Sequence, residues 1–553
     1  MKISLVKNGA ITKSIQCEKG TTALSILKKE PIHSKYIITV ARVNNLVVSL
    51  LAPIEKDCRL EFLDISTQEG LRVYQDSLVF VLYRAANELF GTSRVEVKHS
   101  LADGYYIEIF SRFLLTESDT EKLKERMTAL IKEDEPFVRK RMPLYKIAEQ
   151  FSKNSPTWKL LQYSPQQELT LYQYGSVVSY FVVPLVPSAG FLSIFDIHYL
   201  PPGLILRFPT RQHPDRIGTF VHQPNLLKIF TEYERWGEIL GVSYVASLNK
   251  KVENFEIEEI IQVSEALHEK KIAQIADDIY ENRDSVRVIM ISGPSASGKT
   301  TFAKRLAIQL KTNGLSSKIV SLDDYFVERE KTPLDKYGRH DYESIDALEK
   351  DLIDKQISAL LAGEEVQIPK YNFIEGKREP WGTPYRLKKN ELLIVEGIHG
   401  LNDTLTPSVP AKQKYKIYVS ALTQLNLDNL NRISTSDTRI IRRIVRDAFS
   451  RGHTPQETLN RWDSIRAGEQ KYIFTFQEES DAMFNSALVY ELGVLRTYAI
   501  PELKKVSPEY PEYSEAQRLI DILSFFHPIS EKSIPLNSII WEFIGNRALA
   551  RQE

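Results

Sequence analysis

The feature that most constrains this chain is the string GPSASGKT at residues 293–300, set between the apolar run VRVIMIS and the helical run TTFAKRLAIQLK. Its two glycines let the backbone bend towards a phosphate, and the N–H groups that follow lie at a helix N-terminus, where partial positive charge favours anions. The pattern G-x-x-x-x-G-K-[ST] between a strand and a helix predicts a phosphate-binding loop rather than an inert glycine-rich turn. We therefore expect a polyphosphate site at the edge of a parallel sheet.

Each residue type in this loop has a definite task. Lys299 supplies a positive charge for the β- and γ-phosphates, and Thr300 offers a hydroxyl to Mg²⁺, which bridges phosphate oxygens. No guanine-reading N-K-x-D string follows the loop, which disfavours a GTPase. The residues predicted to contact the nucleotide in this loop are Gly293, Pro294, Ser295, Ala296, Ser297, Gly298, Lys299, Thr300 and Thr301.

The 553 residues predict three or four domains at roughly 150 residues per domain. From Val286 onward, buried apolar runs alternate with helical runs, which is typical of a parallel, helix-covered sheet, whereas the preceding part reads as α+β. The fold class expected is therefore multidomain α/β and α+β. The predicted boundaries are 1–65 and 66–250 for two α+β domains, 251–285 for a helical connector, 286–500 for the phosphate-binding domain, and 501–553 for a helical extension.

Charge and composition limit the partners and the cellular compartment expected for the protein. Lys+Arg and Asp+Glu are both 72, so no whole-chain field attracts nucleic acid or an anionic membrane. The charge-free stretch from Leu169 to Phe195 contains prolines and β-branched runs, which favours buried strands over a membrane span. The only cysteines, Cys17 and Cys58, are too few for a disulfide scaffold. We expect a cytoplasmic protein without a membrane span.

Acidic residues follow two of the apolar runs. In SLDDYF, Asp323 is predicted to act as a general base or metal ligand rather than as a turn cap, because it ends the strand after the phosphate loop. Glu396 ends the run ELLIVE and is predicted to contribute to a magnesium site, with a solvated strand end as the alternative.

Arginines recur at helical spacing in RIIRRIVRDAFSRGHT. Arg443, Arg446 and Arg451 are candidates to close over a triphosphate, because guanidinium groups match phosphate oxygens. A solvated basic helix paired with Asp437 and Asp447 is equally compatible with the composition. The residues alone leave both interpretations open.

Taken together, the strings GPSASGKTT, SLDDYF, VQIPKYNF, VEGI and RRIVRDAFSRG resemble the uridine kinase and phosphoribulokinase-like family over roughly residues 286–490. The resemblance implies ATP-dependent transfer of the γ-phosphoryl group to a hydroxyl, most readily a nucleoside 5′-hydroxyl, with Mg²⁺. It implies that Asp323 is the catalytic base and that Glu396 is the acidic residue of the family's E-G string. It also favours phosphate binding by Arg443, Arg446 and Arg451 over the solvated-helix alternative.

The acceptor residues depart from the family pattern. Glu343 stands where the ribose-binding Asp is expected, while Tyr371 and Phe373 match the base-contacting aromatics. Gly376 stands where the family has a His, His453 where it has an Arg of the lid, and Arg461 where it has a Gln. A small-molecule acceptor is expected, and whether it is uridine, cytidine, another nucleoside or a sugar stays open.

The N-terminal half resembles other proteins. Residues 1–65 are similar to a TGS domain, and residues 66–250 resemble the second, editing-type domain of threonyl-tRNA synthetases, through QDSLVFVLYRAANELFG and PPGLILRFP. Its metal-binding His pair falls on Asp76 and Phe80, which predicts a binding or regulatory module without hydrolytic chemistry. A nucleotide-switched sensor that contacts RNA or the ribosome through this half is the alternative function.

Two further expectations concern association and the C-terminus. The sequence leaves the oligomeric state open, including a homo-oligomer. The segment 501–553 is predicted to have a packing role, with Trp541 and Phe543 in the core.

Overall fold

The computed structural model describes residues 1–7, 9–91, 94–335, 338–373, 375–380, 382–423 and 425–545. Its strands are β1 Lys2–Lys7, β2 Ala10–Gln16, β3 Thr21–Thr22, β4 Ile38–Val43, β5 Leu46–Val48, β6 Pro53–Ile54, β7 Cys58–Asp64, β8 Arg94–Leu101, β9 Gly104–Phe110, β10 Val138–Pro143, β11 Glu168–Tyr174, β12 Val177–Tyr180, β13 Asp196–Leu200, β14 Gly203–Arg207, β15 Val288–Ser292, β16 Ser316–Ser321, β17 Glu365–Ile368, β18 Tyr371–Asn372, β19 Lys377–Arg378, β20 Thr383–Arg386, β21 Glu391–Glu396, β22 Lys414–Ser420 and β23 Ala482–Asn485.

The α-helices within the same residues are α1 Ala23–Lys29, α2 Gln68–Phe90, α3 Glu117–Glu133, α4 Leu144–Ile147, α5 Pro156–Leu161, α6 Pro224–Leu240, α7 Val245–Glu253, α8 Ile257–Glu281, α9 Lys299–Thr312, α10 Lys350–Leu361, α11 Thr435–Arg446, α12 Pro455–Tyr472, α13 Glu491–Leu503, α14 Tyr513–Ser524 and α15 Trp541–Ile544.

The N-terminal sheet has the strand order β2-β1-β7-β4-β5, with β1 and β7 parallel and the other pairs antiparallel. Helix α1 packs against it, because Ile26 joins Ile3 and Leu60 in one buried cluster. Thr22 begins the helix, its hydroxyl accepting a hydrogen bond from the N–H of Ser25. This part is the small α+β unit that the sequence predicts.

The middle region, α2 to β14, is built around the long helix α2, which is buried along most of its length. Two sheets surround it, in the orders β13-β14-β9-β8 and β10-β11-β12. The charge-free stretch after Leu169 forms β11 and β12 followed by turns, as predicted. None of the helices in the described part of the chain has both the length and the apolar character needed to cross a membrane.

The C-terminal region contains a parallel sheet in the order β16-β21-β15-β22-β23. Residues of the central strand β15 alternate between two apolar clusters: Val288 and Met290 face one, and Ile289 and Ile291 face the other. Burial of both faces explains why the sequence reads as continuous apolar runs. The fold class predicted from the sequence, α/β together with α+β, is confirmed.

The C-terminal helices connect the first sheet to the C-terminal region. The Ser514 hydroxyl, at the start of α14, accepts a hydrogen bond from the N–H of Val47 in β5. Arg518 of the same helix forms an ion pair with Asp437 at the start of α11. The extension therefore packs between distant parts of the chain.

Candidate active site

The phosphate loop leaves the carboxyl end of the central strand β15 and enters α9. Gly298 begins this helix with a φ of +84°, and Ala296 also has a positive φ, +59°. A side chain at position 293 would place its Cβ 1.9 Å from the carbonyl oxygen of Val419, so only glycine fits there. The Lys299 ammonium donates a hydrogen bond to the Pro294 carbonyl at 3.3 Å, within the loop itself.

Two buried arginines of α11 hold the loop in this conformation. Arg439 donates to the Ser295 carbonyl at 2.9 Å and forms an ion pair with Glu469. Arg442, fully buried, donates to the Ala296 carbonyl at 3.3 Å. These contacts stabilise the positive φ of Ala296, a conformation that costs energy for a residue with a side chain. These two arginines support the loop from behind and are distinct from the three predicted to bind phosphate.

Glu396, at the end of β21, lies beside the loop. One of its carboxylate oxygens accepts hydrogen bonds from the hydroxyls of Thr300 at 3.2 Å and Ser321 at 3.0 Å. Burial and the neighbouring charge of Asp323 raise the pKa of Glu396 to about 7, while Lys299 acts in the opposite direction. A positive charge placed here would lower that pKa and stabilise the carboxylate.

The structure separates the two aspartates of SLDDYF. Asp324 accepts a hydrogen bond from the N–H of Tyr371 at 3.2 Å and so fixes the start of β18. The carboxylate of Asp323 makes no hydrogen bond to any residue that the structure describes, and it lies close enough to Glu396 to affect its pKa. Asp323 is therefore the aspartate whose carboxylate is available to a ligand.

Thr300, Asp323 and Glu396, the predicted metal-site residues, lie together. They offer only hydroxyl and carboxylate oxygens, the donors that Mg²⁺ prefers. Burial, and after it the charge of Asp323, raises the pKa of Glu396, and a bound cation would act in the opposite direction. Among the described residues, no group of three His, Cys, Asp or Glu side chains is arranged to hold a metal. The donor set fits Mg²⁺, which commonly takes one or two carboxylates and completes its shell with phosphates and water.

Three of the predicted arginines gather around one buried carboxylate, Asp447. Arg443 contacts it at 3.2 Å, while Arg446 and Arg451 stand at 3.7 and 3.9 Å from it. Burial, with Arg451 and Arg443 nearby, lowers the pKa of Arg446 to about 10. The three guanidinium groups share Asp447 as a partner, and their planar donor groups match the geometry of phosphate oxygens. Arg443 also reaches the loop itself, donating to the Ser295 hydroxyl at 2.7 Å.

Glu343 is a second acidic residue near enough to Lys299 for the two charges to interact. Its Oε2 atom is buried without a hydrogen-bond partner in the described structure. Burial and the charge of Glu469 raise the pKa of Glu343 to about 8, against the effect of Arg443 and Lys299. Gly468 makes room for it, because a Cβ there would stand 2.3 Å from the Cβ of Glu343.

The aromatic acceptor candidates lie around the hairpin β18–β19. Tyr371 is 6% exposed and Phe373 is 55% exposed, with their ring centroids 5.1 Å apart. Gly376, where the resemblance leads one to expect His, has a φ of +72°, and a Cβ there would stand 2.6 Å from the Nε atom of Arg329. The Arg329 guanidinium donates to the Phe373 carbonyl at 2.6 Å. An arginine thus occupies the space beside the glycine.

Two other residues that depart from the family pattern lie just before α12 and on it. His453 is 3.8 Å from Glu457, and Arg461 is exposed on α12. Several residues that shape the site are not among those predicted from the sequence: Ser321, Arg329, Gly468, Glu469 and Glu542.

A second concave region lies between the middle and C-terminal regions. This cleft, of about 1070 Å³, is lined by Asp76 and Tyr105 on one side and by Arg432 and Arg466 on the other. Burial raises the pKa of Asp76 to about 7, against the charge of Arg72. Phe80, the other position of the His pair, is fully buried in the core and therefore cannot reach a ligand in the cleft.

A family model for the phosphoribulokinase / uridine kinase family matches residues 288–491, the segment that contains the loop, Glu396 and the three arginines. Residues 288–491 form a phosphoribulokinase / uridine kinase family domain. A uridine kinase of Ligilactobacillus salivarius is 29% identical over 184 residues, which cover 33% of this chain and 77% of that protein. The predicted resemblance of this region is confirmed.

The N-terminal region is homologous to threonine–tRNA ligases, which confirms the second resemblance. One from Desulforamulus reducens is 30% identical over 193 residues, 34% of this chain and 30% of the ligase. The chain therefore spans about a third of the length of these ligases. Among solved structures, a possible uridine kinase from Bacillus stearothermophilus has a TM-score of 0.28 and 19% identity, covering 39% of this chain and 98% of its own.

Proposed function

We propose that this protein is an ATP-dependent phosphotransferase whose kinase-family domain transfers the γ-phosphoryl group of ATP to the 5′-hydroxyl of a nucleoside. One observation carries the proposal: the unpaired carboxylate of Asp323 lies beside Glu396, which is hydrogen-bonded to Thr300 of the phosphate loop. A free carboxylate next to the γ-phosphate position is what deprotonation of an attacking hydroxyl requires.

The positions of the residues support the following proposed roles. Lys299 and the loop N–H groups bind the β- and γ-phosphates. Thr300, Asp323 and Glu396 would hold Mg²⁺, which would neutralise charge on the phosphates. Asp323 accepts the proton of the attacking hydroxyl as the new O–P bond forms and the bond to the β-phosphate oxygen breaks, leaving ADP. Arg443 and Arg446 stabilise the charge that develops on the transferred group.

Glu343, Tyr371 and Phe373 are the residues assigned to the acceptor. When ionised, Glu343 accepts hydrogen bonds from two neighbouring hydroxyls, as a ribose presents them, and Tyr371 and Phe373 contact a planar base. Gly376 has no side chain that could contact a base, and the Arg329 guanidinium occupies the space beside it. The panel of acceptors must therefore include purine as well as pyrimidine nucleosides.

The test is an ADP-release assay with Mg·ATP and a panel of nucleosides and sugar phosphates. We expect release that depends on one class of nucleoside and that is lost in Lys299→Ala, which controls for contaminating kinases. Release without dependence on any acceptor, or release retained in Lys299→Ala, would contradict the proposal.

Homology of the N-terminal region to threonine–tRNA ligases supports a second candidate, a nucleotide-switched RNA- or ribosome-associated sensor. It predicts that the full chain binds tRNA with an affinity that falls with salt, because phosphate contacts release counterions. Filter binding at two salt concentrations, with and without ATP, separates the candidates. No binding, or binding indifferent to ATP, would reject the sensor.

A further inference from the structure

The C-terminal segment covers the phosphate loop. Ile539 is fully buried, and its Cδ1 atom lies 2.4 Å from the place where a Cβ on residue 298 would stand. Only a glycine at the start of α9 allows this approach. The Phe543 ring, also buried, lies under the Arg442 guanidinium, which is 4.7 Å from the ring centroid. The segment is thus packed on the loop at one point and on α11 at another.

Between these anchors, Glu542 directs its carboxylate at the start of α9. Its Oε2 atom accepts a hydrogen bond from the N–H of Thr301 at 3.2 Å and another from the Thr301 hydroxyl at 2.7 Å. The Thr301 N–H is among the first of the helix and has no partner within it, since the intrahelical bonds begin with the N–H of Phe302. The carboxylate caps the helix from 241 residues away.

The position of this carboxylate coincides with part of a nucleotide site. In a phosphate loop the N–H groups at the start of the helix cradle the α- and β-phosphates, while the lysine reaches the β- and γ-phosphates. Thr301 lies two residues beyond Lys299, at the α-phosphate end of that series. Glu542 also contributes to the raised pKa of Glu396, so its charge is felt within the site. The Glu542 carboxylate and the α-phosphate of a nucleotide therefore require the same hydrogen-bond donors at the start of α9.

We propose that Glu542 determines which phosphate compounds bind, because it competes with the α-phosphate of a nucleotide and leaves the β- and γ-positions free. This inference rests on the proposed function, in that it takes the loop to bind ATP. A nucleotide must displace the carboxylate and move the segment around it, whereas inorganic pyrophosphate binds without doing so.

The test compares Glu542→Gln with the wild type by calorimetric titration with Mg·ATP, Mg·ADP and Mg·pyrophosphate. Glutamine keeps the size and a hydrogen-bond acceptor but removes the charge. We expect at least about fivefold tighter binding of ATP and ADP, the scale of one like-charge contact in bulk water, and an unchanged affinity for pyrophosphate. Glu531→Gln is the control, because Glu531 lies on the same segment and accepts its hydrogen bond from Tyr498.

Hydrogen exchange of residues 539–545 gives the second measurement. ATP should speed exchange there in the wild type, and pyrophosphate should not. Equal or weaker ATP binding by Glu542→Gln would show that the carboxylate only caps the helix, and equal tightening for pyrophosphate would show an unspecific charge effect; either overturns the inference. Failure of the proposed function has a different signature, since ATP would then bind no variant better than Lys299→Ala.

Discussion

At residue 80 the N-terminal half places a phenylalanine whose ring packs against Phe137 and Phe181, with centroids 5.5 and 5.3 Å away. Beside the phosphate loop of the C-terminal half, by contrast, Asp323 has an unpaired carboxylate and Glu343 has a buried oxygen without a hydrogen-bond partner. Residue 80 is thus part of the core, whereas Asp323 and Glu343 are acidic groups with unpaired oxygens beside the phosphate loop. Buried polar groups are normally paired, so unpaired ones mark where a ligand is expected.

This difference shows that the fold of a region does not by itself determine its chemistry. The N-terminal region is homologous to threonine–tRNA ligases, and its cleft still carries Asp76. Phe80 belongs to the buried core and offers no metal-binding atom, and the absence of hydrolytic chemistry in this region stays a prediction. Function therefore has to be argued from the residues of each site and not from the shared fold.

The largest effect is expected for Asp323→Asn. Removal of the general base should lower turnover by about 10²–10⁴-fold while ATP still binds, measured by steady-state kinetics and ATP titration. Asp324→Asn is a matched control, because an amide oxygen can still accept from the Tyr371 N–H. Near-normal turnover in Asp323→Asn, or an equal loss in Asp324→Asn, would contradict the assignment.

The arginine cluster gives the next prediction. Arg446→Lys should lower kcat by about 10²-fold, because an ammonium cannot reproduce the planar fork that fits phosphate oxygens. Arg451→Lys should have a smaller effect, since Arg451 is more exposed and 3.9 Å from Asp447. The reverse order of the two effects in the same assay would reject the proposed geometry.

Glu343 provides a prediction with a pH dependence. The pKa of about 8 means that this carboxyl is protonated below pH 8 and becomes a full acceptor above it. The KM for the acceptor should therefore fall as the pH rises from 7 to 9. Glu343→Gln should raise that KM roughly tenfold and remove this dependence, the scale of one hydrogen bond to a charged group. A KM indifferent to pH in the wild type would contradict a role in binding the acceptor.

The smallest effect is expected in the other half. Asp76→Asn should leave kinase activity within about twofold, the expectation for a residue outside the catalytic machinery. Because the folded pKa of about 7 lies above the unfolded value of 3.8, the folded protein binds the extra proton and loses stability as the pH rises between those values. Asparagine removes this loss, so melting temperatures at pH 5 and pH 8 should differ less in the variant. An unchanged difference would show that Asp76 is not desolvated.

Local features of the site could be predicted from the sequence. The phosphate loop, its strand and its helix form one contiguous segment, so pattern and propensity indicate the same structure. The parallel sheet followed from continuous apolar runs such as ELLIV. The choice of Asp323 in SLDDYF follows from its place after the strand, but the contact of Asp324 with the Tyr371 N–H, 47 residues away, could not be predicted.

Contacts made by distant segments could not be predicted. Glu469 reaches the Ser295 N–H across 174 residues, and Glu542 reaches Thr301 across 241. The sequence predicts core packing for Trp541 and Phe543; Phe543 is buried and Trp541 is half-buried. The one available signal was the charge itself, since a Glu within the apolar run SIIWEFI needs a partner when its neighbours are buried.

Mass spectrometry of the acceptor after incubation with the full chain and Mg·ATP tests the central claim most directly. The account predicts that a nucleoside gains one phosphoryl group on its 5′-hydroxyl, and that neither Asp323→Asn nor Lys299→Ala yields this product at a comparable rate. ADP and free phosphate without any phosphorylated acceptor would contradict it.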